Sequence, residues 1–513
     1  MTIRLLDLDF GKDTAEFDRN LADYFVATAA YSRILSGNKS VVTGRKGSGK
    51  TALMNYFVAS SSEDQAVITL EASQATLLKI KQSVDNLGSE LSDLDASFKH
   101  AWLFSIMLAL SERVMERKLA LSQDAQLVYQ FAREHLAYSA PDTVSAIANY
   151  VIKWFVNAKS IGIGDVKIER DTSPVKSNIV FDERVLLRLI ESSARELQRR
   201  NKTTFLFFDK LDERWEASSA NIALVQGLLI AVRQIKALNL PLFPVVLVRD
   251  DIFRAATKGF QHIDHFRMEL EAITWDESSL VALLAKRIQY SLTRNSYPLG
   301  HGASDQDMWN FVFEESVPFK KTPIPMTAWL IERTLARPRD LVLLANMALE
   351  AAVSSGSNGA PITKDHVKSV ERKFSEQKLD DLIAELSVEW PGAETLFEAF
   401  RRQPSTFSAD QLTKMCEDLL THPELRLSWL PSSVTDLKTW LYRVGFMCFT
   451  KSGGSLRGTR VIHSGIEHEP GEFLSSAKVF VSPIFRSALQ MRDRQSLGNT
   501  PAPAADTDED QCH

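Results

Sequence analysis

Short apolar runs punctuate this chain, and longer stretches between them carry apolar residues at helical intervals. Ser40 to Thr43, Ala66 to Leu70, Thr203 to Asp209 and Leu242 to Val248 read as buried strands, and Ala272 to Trp275 as a shorter fifth. Helical spacing links Leu21, Tyr24, Phe25, Tyr31 and Leu35 across Asp18 to Leu35, then Ala52, Leu53, Tyr56 and Phe57. For Tyr24, Phe25 and Tyr31, core packing is the favoured reading over base stacking. Glu183 to Arg200 is a further amphipathic helix whose basic end suits its dipole. Strands separated by helices predict a three-layer α/β core with a parallel sheet.

One helical stretch, Ser73 to about Val156, is too long for a single crossover. Leu103, Ile106, Leu108, Val114 and Met115 recur within it, so residues 76–179 are expected to form a helical insertion. Residues 157–177 look like a hairpin or loop. From Asp276, a candidate N-cap before Leu280, Leu283, Leu284 and Ile288, the chain reads as mostly helical to about Lys378. Pro338 suits the first turn of an amphipathic helix there.

Beyond that, Ser408 to Leu420 and Val434 to Val444 read as helices, and Gly445 to Thr450 as a strand. Gly453-Gly454 reads as a turn and Arg460 to Ile462 as the returning strand. Helix, helix, hairpin is a winged-helix pattern. The expected organisation is a core over residues 1–275, a helical lid over 276–385 and a winged-helix-like domain over 386–495. Residues 496–513 are expected to be a disordered acidic tail.

Composition narrows the class. Length alone favours two to four domains, and 44% hydrophobic with 24% charged residues suits a soluble protein with sizeable cores. A net charge of −5 argues against a generally basic nucleic-acid coat and leaves room for local basic faces. Three cysteines, Cys416, Cys448 and Cys512, show no paired spacing, which fits a reducing compartment. No run approaches the ~18 apolar residues that span a bilayer. The expectation is a cytoplasmic protein without a membrane partner.

The chemistry is concentrated in Gly44-Arg45-Lys46-Gly47-Ser48-Gly49-Lys50-Thr51, which satisfies G-x-x-x-x-G-K-[ST] between a strand and a helix. Its glycines let successive N–H groups face a phosphate. Lys50 can reach the β and γ phosphates, Thr51 can ligate Mg²⁺, and the helix N-terminus favours the anion. Asp209, ending an apolar strand, is the second candidate Mg²⁺ ligand. Arg249 follows a third strand, as a candidate γ-phosphate contact or as a salt-bridge partner of Asp250 or Asp251. Arg337 is a candidate phosphate contact from the lid, chosen narrowly over Arg339, with a solvated helix-start arginine as the alternative. From Leu437 to Ile466 the chain has five basic residues, Lys438, Arg443, Lys451, Arg457 and Arg460, and no acidic one. They suit a DNA-contacting helix and wing, or the solvated face of a protein-docking module.

These residues carry a resemblance. The loop Gly44 to Thr51, the run into Asp209-Lys210-Leu211-Asp212-Glu213, the strand ending at Arg249 and Arg337-Pro338-Arg339-Asp340 resemble the broad P-loop ATPase group with an inserted strand. That group includes AAA+, STAND, KAP and origin-recognition-type ATPases. Phe10-Gly11 and Tyr24-Phe25-Val26, with the loop, are similar to a bacterial family of P-loop ATPases often encoded near anti-phage defence genes. The resemblance spans residues 1 to about 350. It implies an ATPase acting with ATP and Mg²⁺, commonly as a homo-oligomer that borrows an arginine from a neighbour, with Arg214 and Arg254 as candidates here. Many relatives place a catalytic Glu directly after the metal-binding Asp, whereas this chain has Lys210 there. Asp212 or Glu213 would then polarise the attacking water.

Two look-alikes are set aside. Lys451-Ser452-Gly453-Gly454-Ser455 resembles the ABC signature but follows the acidic strand, and reads better as a hairpin turn. Asp209-Lys210-Leu211-Asp212 resembles the guanine-reading N-K-x-D, with Asp for Asn, so ATP is preferred to GTP. Two functions remain in view. One is an ATP-hydrolysing switch that controls a separate effector protein or a transaction on double-stranded DNA. The other is a nucleotide-gated DNA-binding or scaffold protein with negligible turnover.

Overall fold

The computed structural model describes residues 3–71, 91–116, 122–135, 183–199, 201, 203–212, 215, 218–298, 302–318, 323–357, 359, 361–387, 392–422, 433–452, 459–462 and 470–492. The readings of residues 157–177 as a hairpin, of Gly453-Gly454 as a turn and of 496–513 as a tail lie outside them. The chain divides into two units.

The first unit comprises residues 9–275 and 282–294. Its centre is a parallel sheet of β1 (Val41–Thr43), β2 (Gln65–Glu71), β3 (Thr203–Asp209), β4 (Leu242–Val248) and β5 (Leu270–Ala272). The order is β2-β3-β4-β1-β5, so β4 is the strand inserted between the loop strand and the acidic strand. The helices are α1 (Ala29–Leu35), α2 (Lys50–Ser60), α3 (Leu91–Glu116), α4 (Gln123–His135), α5 (Glu183–Gln198), α6 (Ser219–Ala237) and α7 (Asp250–Thr257). The later part of α8 (Glu277–Arg294) completes the unit.

Alternation along the interior strands builds two cores. Phe205, Phe207, Val245 and Leu247 pack with Ile34, Leu53, Met54 and Phe57 of α1 and α2. Leu206, Phe208, Val246 and Val248 face the other way, onto a larger cluster that includes Phe98, Trp102, Leu189 and Leu228 from α3, α5 and α6. Successive strand side chains point to opposite faces, so a wholly apolar strand is what two covered faces require. The fold is the expected three-layer phosphate-loop α/β core.

Helix α3 packs Phe98 and Trp102 into the same cluster as Leu206 and Phe208 of β3, so it forms part of a core layer. Its closeness to α6 depends on Gly227, where a Cβ would lie 2.6 Å from the backbone N of Lys99 and 2.7 Å from Cβ of Phe98. The buried Trp102 indole donates to the Leu224 carbonyl at 3.0 Å, so its one polar group is satisfied.

Three local expectations are corrected. Asp18 to Leu35 is not one helix: a 3₁₀ turn at Leu21–Asp23 and extended backbone at Thr28 precede α1. The break sends Tyr24 into a buried pocket, its hydroxyl on Asp18 and its ring under Arg287, while Phe25 stacks on Tyr56. Strand β2 is an edge strand with only Ala66 buried, because β3 covers one of its sides alone. Strand β5 ends at Ala272, since its register with Val41–Thr43 fixes it to Leu270–Ala272.

The second unit comprises residues 1–8, 276–281 and 295–513. Asp276 accepts the Ser279 N–H at 2.7 Å, as an N-cap does. Helices Asp305–Val312, Met326–Ile331, Pro338–Ser354 and Lys364–Ser387 follow, with a hairpin of β6 (Ser316–Val317) and β7 (Ile324–Pro325). Pro338 occupies the first turn, as its fixed φ and missing N–H predict. Next come β8 (Thr406–Ser408), helices Ala409–Thr421 and Val434–Arg443, β9 (Met447–Ser452), β10 (Thr459–Ile462) and β11 (Lys478–Val481). The helix, helix, hairpin sequence is present, and β11 joins it to β8 in an antiparallel sheet ordered β10-β9-β11-β8. Ser408 and Gln411 form a capping box at the first of these helices.

Candidate functional site

The site grows out of the end of β1. Parallel register carries the chain to the C-terminal edge of the sheet, where Gly44 to Gly49 curls back into α2. Gly47 and Gly49 have φ of 80° and 96°, a region open to glycine and costly for residues with a Cβ. Gly49 is the N-cap of α2, so Lys50 and Thr51 occupy its first turn. Trp275, just past β5, donates its indole N–H to the Ser48 carbonyl at 2.8 Å and braces the loop.

Lys50 Nζ donates to the carbonyls of Gly44 at 2.7 Å and Arg45 at 3.1 Å. Burial lowers its pKa, and the carboxylates of Asp212, Asp250 and Asp209 act against that, in this order. A half-buried ammonium resting on backbone carbonyls and acted on by nearby carboxylates suits an incoming polyphosphate. Ser48 Oγ is buried, with no hydrogen-bond partner among the described residues.

Asp209, only 5% exposed, ends β3 beside the loop, and its Oδ2 accepts from Thr51 Oγ1 at 3.0 Å. Burial pushes the Asp209 carboxyl up, partly offset by hydrogen bonds from the Lys210 backbone and Thr51. A hydroxyl and a carboxylate converging in this way form a hard oxygen donor pair, which fits Mg²⁺.

The other candidates fall as follows. Asp212 is the foremost of the charges acting on Lys50. Arg249 is paired with Asp251 through two hydrogen bonds, the shorter 2.5 Å, and its charge also reaches Lys50. Lys210 forms an ion pair with Glu71 at 2.5 Å. Arg254 is exposed on the last turn of α7. Glu213, Arg214 and Arg457 lie outside the described residues. Arg45 and Lys46 are in the loop, with Lys46 exposed. Arg337, in the second unit, is the N-cap of Pro338–Ser354, and its Nε is buried without a hydrogen-bond partner among the described residues.

Four of the five basic positions of the helix, helix, hairpin segment lie among the described residues. Lys438 donates to Thr413 Oγ1 at 2.5 Å, joining the two helices, while Arg443 is exposed at the end of its helix. Lys451 and Arg460 sit opposite each other in the β9–β10 register. Sequence reading missed Glu71 and Trp275. Neither has a motif, since strand register and loop packing place them.

The chain has recognisable relatives. Residues 278–383 match a family described as the FunZ-associated C-terminal helical domain. Over 503 residues the chain is 22% identical to a transposon gamma-delta 80.3 kDa protein of Escherichia coli (strain K12), covering 94% of this chain and 67% of that one. Two structures of the Aeropyrum Pernix ORC2 protein, one of ADPNP-ADP complexes and one of an ADP form, align over 92% of this chain and 98% of theirs. Their identities are 12% and 11%, each with a TM-score of 0.34. At that score the architecture rests on the sheet order and the loop. No helix among the described residues is long and apolar enough to cross a membrane.

Proposed function

We propose that this chain binds ATP with Mg²⁺ at Gly44 to Thr51 and hydrolyses it slowly, as a switch controlling a partner effector or a DNA transaction. The observation that supports this best is the hydrogen bond from Thr51 to Asp209, which sets two Mg²⁺-type oxygen donors beside Lys50. On binding, Lys50 exchanges the Gly44 and Arg45 carbonyls for β- and γ-phosphate oxygens. Mg²⁺ supplies neutralisation of phosphate charge. Asp212, or Glu213 beyond it, orients a water and takes its proton as the water oxygen bonds to the γ-phosphorus. The bond from that phosphorus to the bridging oxygen breaks, leaving ADP and phosphate.

Contacts to the γ-phosphate exist only in the triphosphate state, so they can bias a two-state element, and Arg337 remains a candidate for such a contact. A homo-oligomer could add Arg214 or Arg254 of a neighbouring copy. Control of a separate effector in anti-phage defence rests on the resemblance of the loop and N-terminal segment. Double-stranded DNA is the partner to test first, given the transposon relative and the basic winged module.

A second reading has its own observation. Lys210 stands directly after Asp209 and is ion-paired with Glu71, which favours a nucleotide-gated binder or scaffold with negligible turnover. Hydrolysis by the purified protein, alone and with double-stranded DNA, decides between them beside Lys50→Ala. Turnover lost in the variant supports the switch. ATP bound without turnover in any condition leaves the scaffold, and no binding at all rejects both.

A further inference from the structure

The turn after β3 carries an unusual backbone. Lys210 has φ of 60°, the left-handed region that a residue with a Cβ enters only at a cost. Its neighbours explain the constraint. Asp209 is fixed in the strand and bonded to Thr51, while Leu211 is 3% exposed in the core. A reversal between a strand end and a buried anchor falls on the one residue between them.

Both its backbone and its side chain are engaged. Its backbone N–H bonds the Asp209 carboxylate. Its ammonium reaches Glu71, the residue directly opposite Asp209 in the β2–β3 register, at 2.5 Å. The side chains of Lys210 and Glu71 are 32% and 43% exposed. A half-exposed ion pair is weak, but it is of the same order as the cost of the left-handed backbone, so it can decide which conformation the turn populates.

We propose that Glu71 is a positioning residue for the nucleotide site: by pairing with Lys210 it holds the Asp209–Asp212 turn in the conformation that presents both carboxylates to Mg²⁺ and ATP. This rests on the proposed binding of ATP. In it Lys210 acts through its backbone, and its side chain serves as the tether.

Glycine separates the two parts of that claim, because Lys210→Gly removes the tether and also the cost it offsets. The measurement is calorimetric affinity for a non-hydrolysable ATP analogue, with Mg²⁺ and with chelator, on full-length protein. Glu71→Gln and Lys210→Ala are expected to cut the Mg²⁺ enhancement of affinity by roughly three- to tenfold. Lys210→Gly should keep it within about twofold, and adding Glu71→Gln to Lys210→Gly should change nothing further. Equal melting temperatures establish that each variant is folded.

Wild-type enhancement in Glu71→Gln overturns the proposal. So does Lys210→Gly behaving like Lys210→Ala, which would assign the lysine side chain a direct role. If the wild-type protein binds no nucleotide, the ATP reading itself fails and this inference falls with it. Binding without turnover leaves the comparison intact, since no readout here depends on hydrolysis.

Discussion

Thr51 Oγ1 donates to Asp209 Oδ2 at 3.0 Å, across 158 residues of sequence. The bond ties the first turn of α2 to the end of β3, and both atoms are oxygens of the kind Mg²⁺ takes. Thr51→Ala and Asp209→Asn should each lower Mg²⁺-dependent ATP affinity by roughly tenfold or more, with less effect on binding in chelator. Titration calorimetry in the two buffers checks this. Equal losses in both buffers would remove Thr51 and Asp209 from the metal site.

Asp209 also makes a stability prediction. Burial raises its folded pKa above the unfolded value, so the folded state holds the proton more tightly. Stability then falls as pH rises from the ordinary carboxylate range through the folded pKa. Asp209→Asn should therefore raise the melting temperature of nucleotide-free protein at neutral pH. The gain should vanish at pH values below the ordinary carboxylate range. A variant that melts lower than wild type at neutral pH would refute this sign.

Gly227 sets the distance between α3 and α6. A methyl group there meets backbone atoms of Phe98 and Lys99 below 3.0 Å, and neither can rotate aside as a long side chain could. Gly227→Ala should cost about 1–3 kcal/mol despite alanine's better helix propensity. Urea unfolding measures it, and a stabilised variant would show that the helices separate freely.

Much of this was legible because interior parallel strands announce themselves. Strands β3 and β4 are apolar through their buried interiors, as both faces of each are covered. The phosphate loop was legible for another reason: its function needs fixed residue types at fixed spacing. What failed were pairings between residues distant in sequence. Periodicity joined Tyr24 to a helix, whereas Arg287 and Asp18 draw it into a pocket of its own. Glu71 lies one residue past the apolar run Ala66 to Leu70, and only the register that sets it opposite Asp209 gives it a part.

The winged module offers a test in which two basic residues should behave differently. Lys438 spends its ammonium on Thr413, within the helix pair, so Lys438→Ala should cost about 0.5–1.5 kcal/mol of stability. Arg443 is exposed at the last turn of its helix, where its charge contributes about 0.3–1 kcal/mol of dipole interaction. If the module docks on DNA, changing Arg443, Arg457 and Arg460 to alanine should flatten the plot of log affinity against log salt by about 0.9 for each phosphate no longer neutralised. Fluorescence anisotropy with a duplex at several salt concentrations reads the slope, and thermal melting reads the stability. An unchanged slope with the three arginines removed, while partner capture persists, would identify the module as a protein-docking surface, with Lys438 confined to holding its helices together.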